Sequence, residues 1–156
     1  ATVAYENLRE YGFIVARQDM LDKYLSTLTH NFNTSDDAKK PLYVEGKAFE
    51  RDEKGNVVKN YIYSTTEDGD VTFVARCVGL DITNRTQVTA ALTARPYLRY
   101  TLGNGNAVTL YGSTHTASLY SVVKSIKDKA DAGDEAAAAD YKAHKEYIDS
   151  ILALGE

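Results

Sequence analysis

The stretch "ARPYLRYTL", Ala94 to Leu102, alternates between two kinds of residue. One phase carries Arg95, Tyr97, Arg99 and Thr101, and the other Ala94, Pro96, Leu98 and Tyr100. Successive residues of a strand point to opposite faces, so this pattern predicts a β-strand. With "AALT" in front of it the strand is the longest in the chain. "GNGN", Gly103 to Asn106, then turns the chain into "AVTLYG". Two strands joined by so short a Gly/Asn segment form an antiparallel hairpin. On this strand Leu92, Ala94 and Leu98 are expected to look inward, and Arg95, Tyr97 and Arg99 to look out.

Upstream, "YGFIVAR" (Tyr11 to Arg17) reads as a buried strand. "DMLDKYLSTL" follows with Met20, Leu21, Tyr24, Leu25 and Leu28 at helical spacing, as a short helix or covering loop. "HNFNTSDDAKKP" is a polar loop. "LYVEGKAFERD" predicts a strand, and "EKGN" (Glu53 to Asn56) a hairpin turn into "VVKNYIYS". "TEDGD" is a second turn, leading into the strand "VTFVARCVG". "LDITNRTQVT" reads as a connection that can hold a short turn.

Downstream the pattern becomes helical. In "ASLYSVVKSIKD", Leu119, Val122, Val123 and Ile126 form one apolar stripe. "ADAGD" interrupts it. Asp134 is an N-cap candidate for a second helix, "EAAAADYKAHKEYIDSILAL", with Gly155 as its stop. Tyr141, Ile148, Ile151 and Leu152 make its apolar side. Strands do not alternate with helices, which argues against a doubly wound parallel sheet.

The chain's 156 residues suit one domain able to bury a core. A net charge of −4 argues against nucleic acid as a partner. No apolar run approaches the roughly 20 residues needed to span a bilayer. There is no initiator Met and no signal peptide, which reads as a mature or excised piece. The single cysteine, Cys77, cannot pair internally. It shares a phase with Val71, Phe73 and Ala75 and reads as a buried apolar thiol. Twelve tyrosines and no tryptophan suit strands with one wet face, and lower the weight of a sugar-binding platform.

No motif for chemistry stands out. His30, His115 and His144 do not have zinc-motif spacing, and one cysteine adds no ligand set. "GNGN" opens no helix, so it is a turn and not a phosphate loop. Glu67, Asp68 and Asp70 lack the spacing of a calcium loop. Ser113, His115 and Ser118 lie outside any nucleophile elbow, and helix capping explains the hydroxyls better. Asn33-Thr34-Ser35 and Asn84-Arg85-Thr86 match short glycosylation acceptors. What remains is the Arg/Tyr face. Arg95, Tyr97 and Arg99, with Arg76 before them and Tyr111 after, could form a patch of residues enriched at interfaces. Long arginine stems and tyrosine rings simply covering a sheet are the plainer account.

The order "EYGFIVAR", "YSTTEDGDVTFVARCVGL", "LTARPYLRYTLGNGNAVTLYG", "SLYSVVKSI" and "YIDSILALGE" resembles an uncharacterised module of large secreted and cell-surface proteins of gut clostridia and ruminococci. The likeness rests on Glu10-Tyr11-Gly12-Phe13, Ala94-Arg95-Pro96-Tyr97, Val108 to Tyr111 and the terminal helix. In those proteins the module sits beside glycoside hydrolase, dockerin or Ig-like modules. The resemblance implies an extracellular accessory role and carries over no active-site residue. Such modules have a further strand before "EYGF". Here only "ATVAYENLR" precedes it, which leaves an edge open to strand addition.

The expected fold is therefore α+β and mainly β. It is an antiparallel β-sandwich-like domain with two C-terminal helices packed against it. It would form one domain over 1–156, β-rich over 1–112 and helical over 114–155. The expected function is that of a non-catalytic accessory or interaction module of an extracellular bacterial multi-module protein, serving spacing, display or protein contact. Its partners would be neighbouring modules or another protein, with no nucleic acid and no membrane insertion. No cofactor, metal or catalytic residue is expected. The alternatives are a carbohydrate-binding module taking a polysaccharide on the Tyr/Arg face, and a structural or decoration domain of a phage particle. The candidate binding residues are Arg76, Arg95, Tyr97, Arg99 and Tyr111.

Overall fold

A computed structural model describes residues 5–24, 27–32, 44–65, 71–74 and 78–155. The elements run β1 (Leu8–Arg17), α1 (Gln18–Lys23), β2 (Val44–Arg51), β3 (Val57–Asn60), β4 (Ile62–Thr65) and β5 (Val71–Phe73). Then come α2 (Arg85–Thr89), β6 (Leu92–Thr101), β7 (Ala107–Tyr111), β8 (His115–Ala117), α3 (Leu119–Asp131), α4 (Glu135–Ala143) and α5 (Lys145–Gly155). The fold is α+β. One six-stranded sheet has the order β3-β2-β1-β6-β7, with β8 pairing β6, and β4 and β5 form a separate two-stranded sheet. The β1–β2, β2–β3 and β6–β7 pairs are antiparallel. The chain divides into two compact units, the first carrying β1 to β7 and the second α2 to α5.

Both expected hairpins are present. "EKGN" turns β2 into β3, and "GNGN" turns β6 into β7, with Leu98 opposite Leu110 and Tyr97 opposite Tyr111. Gly112 closes the open end of the second hairpin by donating its N–H to the Pro96 carbonyl at 2.9 Å. A Cβ on Gly112 would come within 2.7 Å of the Pro96 ring, so only glycine fits there. The expected strand "VVKNYIYS" is split at Tyr61 into β3 and β4, which belong to different sheets.

β1 lies at the centre of the large sheet and is covered on both faces, which explains its unbroken apolar run. On one face Ile14 and Ala16 pack with Leu21, Leu28 and Phe32. On the other, Tyr11 packs with Ala48 and Phe49, and Phe73 of β5 leans on it at 4.5 Å between ring centroids. A bulge makes this possible. The β1–β2 register shifts between Tyr11 and Gly12, so Tyr11 pairs with Phe49 while Gly12 pairs with Lys47, and the extra Ala48 is buried.

In the second unit three C-terminal helices stand where two were expected. α3 begins on a capping box, with Ser118 and Ser121 exchanging side-chain and backbone bonds. Asp134 caps α4, accepting from the Ala137 N–H at 2.8 Å. The expected single helix then breaks at His144, whose backbone leaves helical geometry (φ −123°, ψ 22°). No Gly or Pro marks the break. A straight helix over both halves would run about 30 Å, well past the roughly 20 Å of α3. Bending at His144 lets α4 and α5 both pack on α3. Ile148 and Ile151 of α5 are buried with Val88 of α2 and Val123 of α3. The segment read as a connection thus holds a helix, α2, capped by Asn84. Gly155 lies inside α5, the last of its residues, and not past its end as a stop would. The ring of Tyr120 occupies the place a Cβ would take.

Candidate functional site

Position 97 is where the sheet departs from expectation. Tyr97 was expected in solvent and is only 2% exposed. Its hydroxyl donates to Glu45 Oε1 at 2.7 Å. Thr93, on the same face, is buried as well. The reason is the segment 27–32. Its Leu28 and Phe32 anchor in the cluster around Ile14 and bring His30 over the sheet. The His30 ring meets Tyr97 edge-on at 4.5 Å. Its Nδ1 lies 2.6 Å from the Tyr111 hydroxyl and its Nε2 lies 3.2 Å from Glu45 Oε1. The His30 backbone N–H also donates to the Tyr111 oxygen at 3.1 Å. Both ring nitrogens of His30 thus have a partner, Tyr111 on one side and Glu45 on the other.

The electrostatics follow from burial and these bonds. Burial alone would push the Glu45 carboxyl up. The bonds from Tyr97 and His30, with the charges of His30 and Lys47, outweigh it and hold the carboxyl below its ordinary value. Burial pushes the Tyr97 phenol far up, and the Glu45 carboxylate adds to that. Tyr97 is therefore a neutral donor at any physiological pH.

The other expected residues have comparable structural partners. Arg95 is half-buried. It donates from Nε to the Gly112 carbonyl at 2.8 Å and from Nη1 to the Leu28 carbonyl at 3.1 Å. Its guanidinium lies 4.9 Å from the centre of the Tyr111 ring. Arg99 is exposed, and its Nη1 lies 3.8 Å from Glu10, which Lys47 also approaches at 3.3 Å. The structure thus brings Arg95, Tyr97 and Tyr111 together and sets Arg99 in a separate ionic group. Arg76 and Cys77 lie outside the described residues, as does the Glu67–Asp70 turn. The sequence shows His30 only as a histidine without metal spacing, and gives no sign of Glu45 or of the contact between them. They sit on a loop and a strand with no shared spacing, and only the sheet order joins them.

On the opposite face of β6 and β7 the sheet is open. Leu98 and Leu110 floor an apolar groove of about 490 Å³. Ile62 and Phe73 of the small sheet form one wall, with Leu8, Tyr11 and Pro96 also lining it. The volume falls in the range of ligand sites, roughly 300–1,000 Å³. Among the described residues the only polar side chains at the groove are tyrosines. The Tyr11 hydroxyl donates to Asn60 at 3.2 Å, and those of Tyr97 and Tyr111 are bonded on the far face. The groove can hold apolar groups and offers no charge or free amide to fix a polar one.

Among the described residues no three His, Cys, Asp or Glu side chains converge on a possible metal position, and no helix is long and apolar enough to cross a membrane. No family model, curated protein or solved structure matches the chain.

Proposed function

We propose that the chain is a non-catalytic interaction module of a larger extracellular bacterial protein, and that its work is protein contact. In this reading the β4–β5 sheet and the six-stranded sheet are the two layers of a sandwich-like domain. The observation that carries the proposal is the open apolar groove over Leu98 and Leu110. Exposed apolar concavities of this kind are characteristic of binding surfaces. The hydrogen-bonding groups of His30, Glu45 and Tyr97 are used to hold segment 27–32 on the sheet, which suits a scaffold better than a reaction centre. The bonded tyrosine hydroxyls favour protein over polysaccharide as the partner. The extracellular setting rests on the resemblance described above.

The test is a two-armed binding screen by NMR, with an array of oligosaccharides in one arm and apolar peptides in the other. Saturable peptide binding, lost in Leu98→Glu while the spectrum stays folded, is the expected result. Binding of oligosaccharides that survives Leu98→Glu, with no peptide binding, would overturn the reading.

A further inference from the structure

The groove opens beside an edge of the sheet, and that juxtaposition says more about its occupant. Among the described residues β7 pairs only with β6, so it is one of the two edges of the strand order. The direction of its backbone groups follows from the register. Gly112 N–H bonds Pro96, and Leu102 N–H bonds the Asn106 carbonyl at 2.8 Å. Even-numbered residues from 106 to 112 therefore point their backbone groups at β6. Ala107, Thr109 and Tyr111 point theirs outward, away from the sheet.

The two edges differ in how they are protected. β3, at the far edge, carries Lys59, a common guard against strand pairing. β7 reads Ala-Val-Thr-Leu-Tyr and has no charge, no proline and no bulge. A strand added to β7 would place alternate side chains beside Leu110, over the groove. Its other side chains would lie on the face of Tyr111 and Arg95. Arg95 bonds two carbonyls and an aromatic face, and among the described residues it has no carboxylate partner.

We propose that the outer edge of β7 takes an extended segment of a partner polypeptide as an additional strand. Alternate apolar side chains of that segment enter the groove, and an acidic side chain on its other face meets Arg95. This deepens the protein-contact reading and rests on it. Backbone bonds to Thr109 and Tyr111 would supply affinity, and the groove and Arg95 would supply selectivity. A second copy of this chain is the less suitable occupant. β7 itself carries no acidic residue to set beside Arg95.

The experiment uses capped peptides in which Leu or Val alternates with Thr, one Thr being replaced by Asp or by Lys. Affinity is measured calorimetrically, and amide exchange of the protein by NMR. The Asp peptide should bind about tenfold more tightly than the Lys peptide, and Arg95→Gln should erase that preference. Thr109→Pro removes an outward N–H without touching the β6 ladder, and should weaken binding about tenfold. In the wild-type protein the Thr109 and Tyr111 amides should exchange at least about tenfold more slowly with peptide bound, a measurement that stands if Thr109→Pro fails to fold. If Leu98→Glu abolishes binding while Thr109→Pro and amide exchange are unaffected, the groove binds without strand addition. The inference then falls and the contact reading survives. If no peptide binds, both fall. A dimer that Thr109→Pro dissociates would make a second copy the occupant and overturn the proposal.

Discussion

The two faces of β6 have exchanged the roles their residues suggest. One face carries Arg95, Tyr97 and Arg99, the side chains that look wet, yet Tyr97 is sealed beneath His30 and bonded to Glu45. The other carries Pro96 and Leu98, the side chains that look like core, yet they line an open groove. Polarity along a strand shows that two faces exist. Which one is covered is decided by segments far away in sequence, here 27–32 on one side and β4–β5 on the other. An amphipathic tyrosine can be roofed over so long as its hydroxyl finds a partner.

Mutations can break this contrast. Tyr97→Ala removes a buried ring and should cost about 3–5 kcal/mol in chemical denaturation. A loss under 1 kcal/mol would put Tyr97 back at the surface. Tyr97→Phe keeps the ring and takes one donor from Glu45. It should cost about 1–3 kcal/mol, with most of that loss absent when Glu45→Gln is already present. On the open face Leu98→Ala should cost only about 1 kcal/mol, against about 2–5 for a fully buried leucine. A denaturation midpoint shifted as far as that of Tyr97→Ala would mean the groove is closed in solution. The smallest effect concerns pH. Glu45 is held below its ordinary value of 4.5 in the folded chain, so its contribution is present above that value and is lost as pH falls through the folded one. Melting temperature followed from about pH 6 to 3 should fall less steeply in Glu45→Gln than in the wild type. Identical slopes would show that Glu45 does not sense folding.

Local signals gave the elements whose cause is local. The Gly/Asn turn after Leu102, the apolar stripe through Leu119 and Val123, and the caps at Ser118 and Asp134 all depend on neighbours within a few residues. The break at His144 has no local mark because it answers the length of α3. β3 and β4 were read as one strand because nothing in "VVKNYIYS" announces that they join different sheets. The candidate site was the least legible part. Arg95, Tyr97 and Tyr111 were found because they share one hairpin, but their surroundings were not. His30 and Glu45 come from other elements, and the groove is lined by residues drawn from β1, β4, β5, β6 and β7 together.

The contact between Pro96 and Gly112 has a consequence for motion along the sheet. A hairpin strand can in principle slide by two residues and keep its faces. Sliding β7 by one such step would set Leu110 against the Pro96 ring where only a glycine fits, and Pro96 has no N–H with which to bond it in return. The tight turn fixes one end of the ladder and this steric stop fixes the other. β7 is thereby held like a ruler against β6, and anything laid along its outer edge would be measured from a fixed zero.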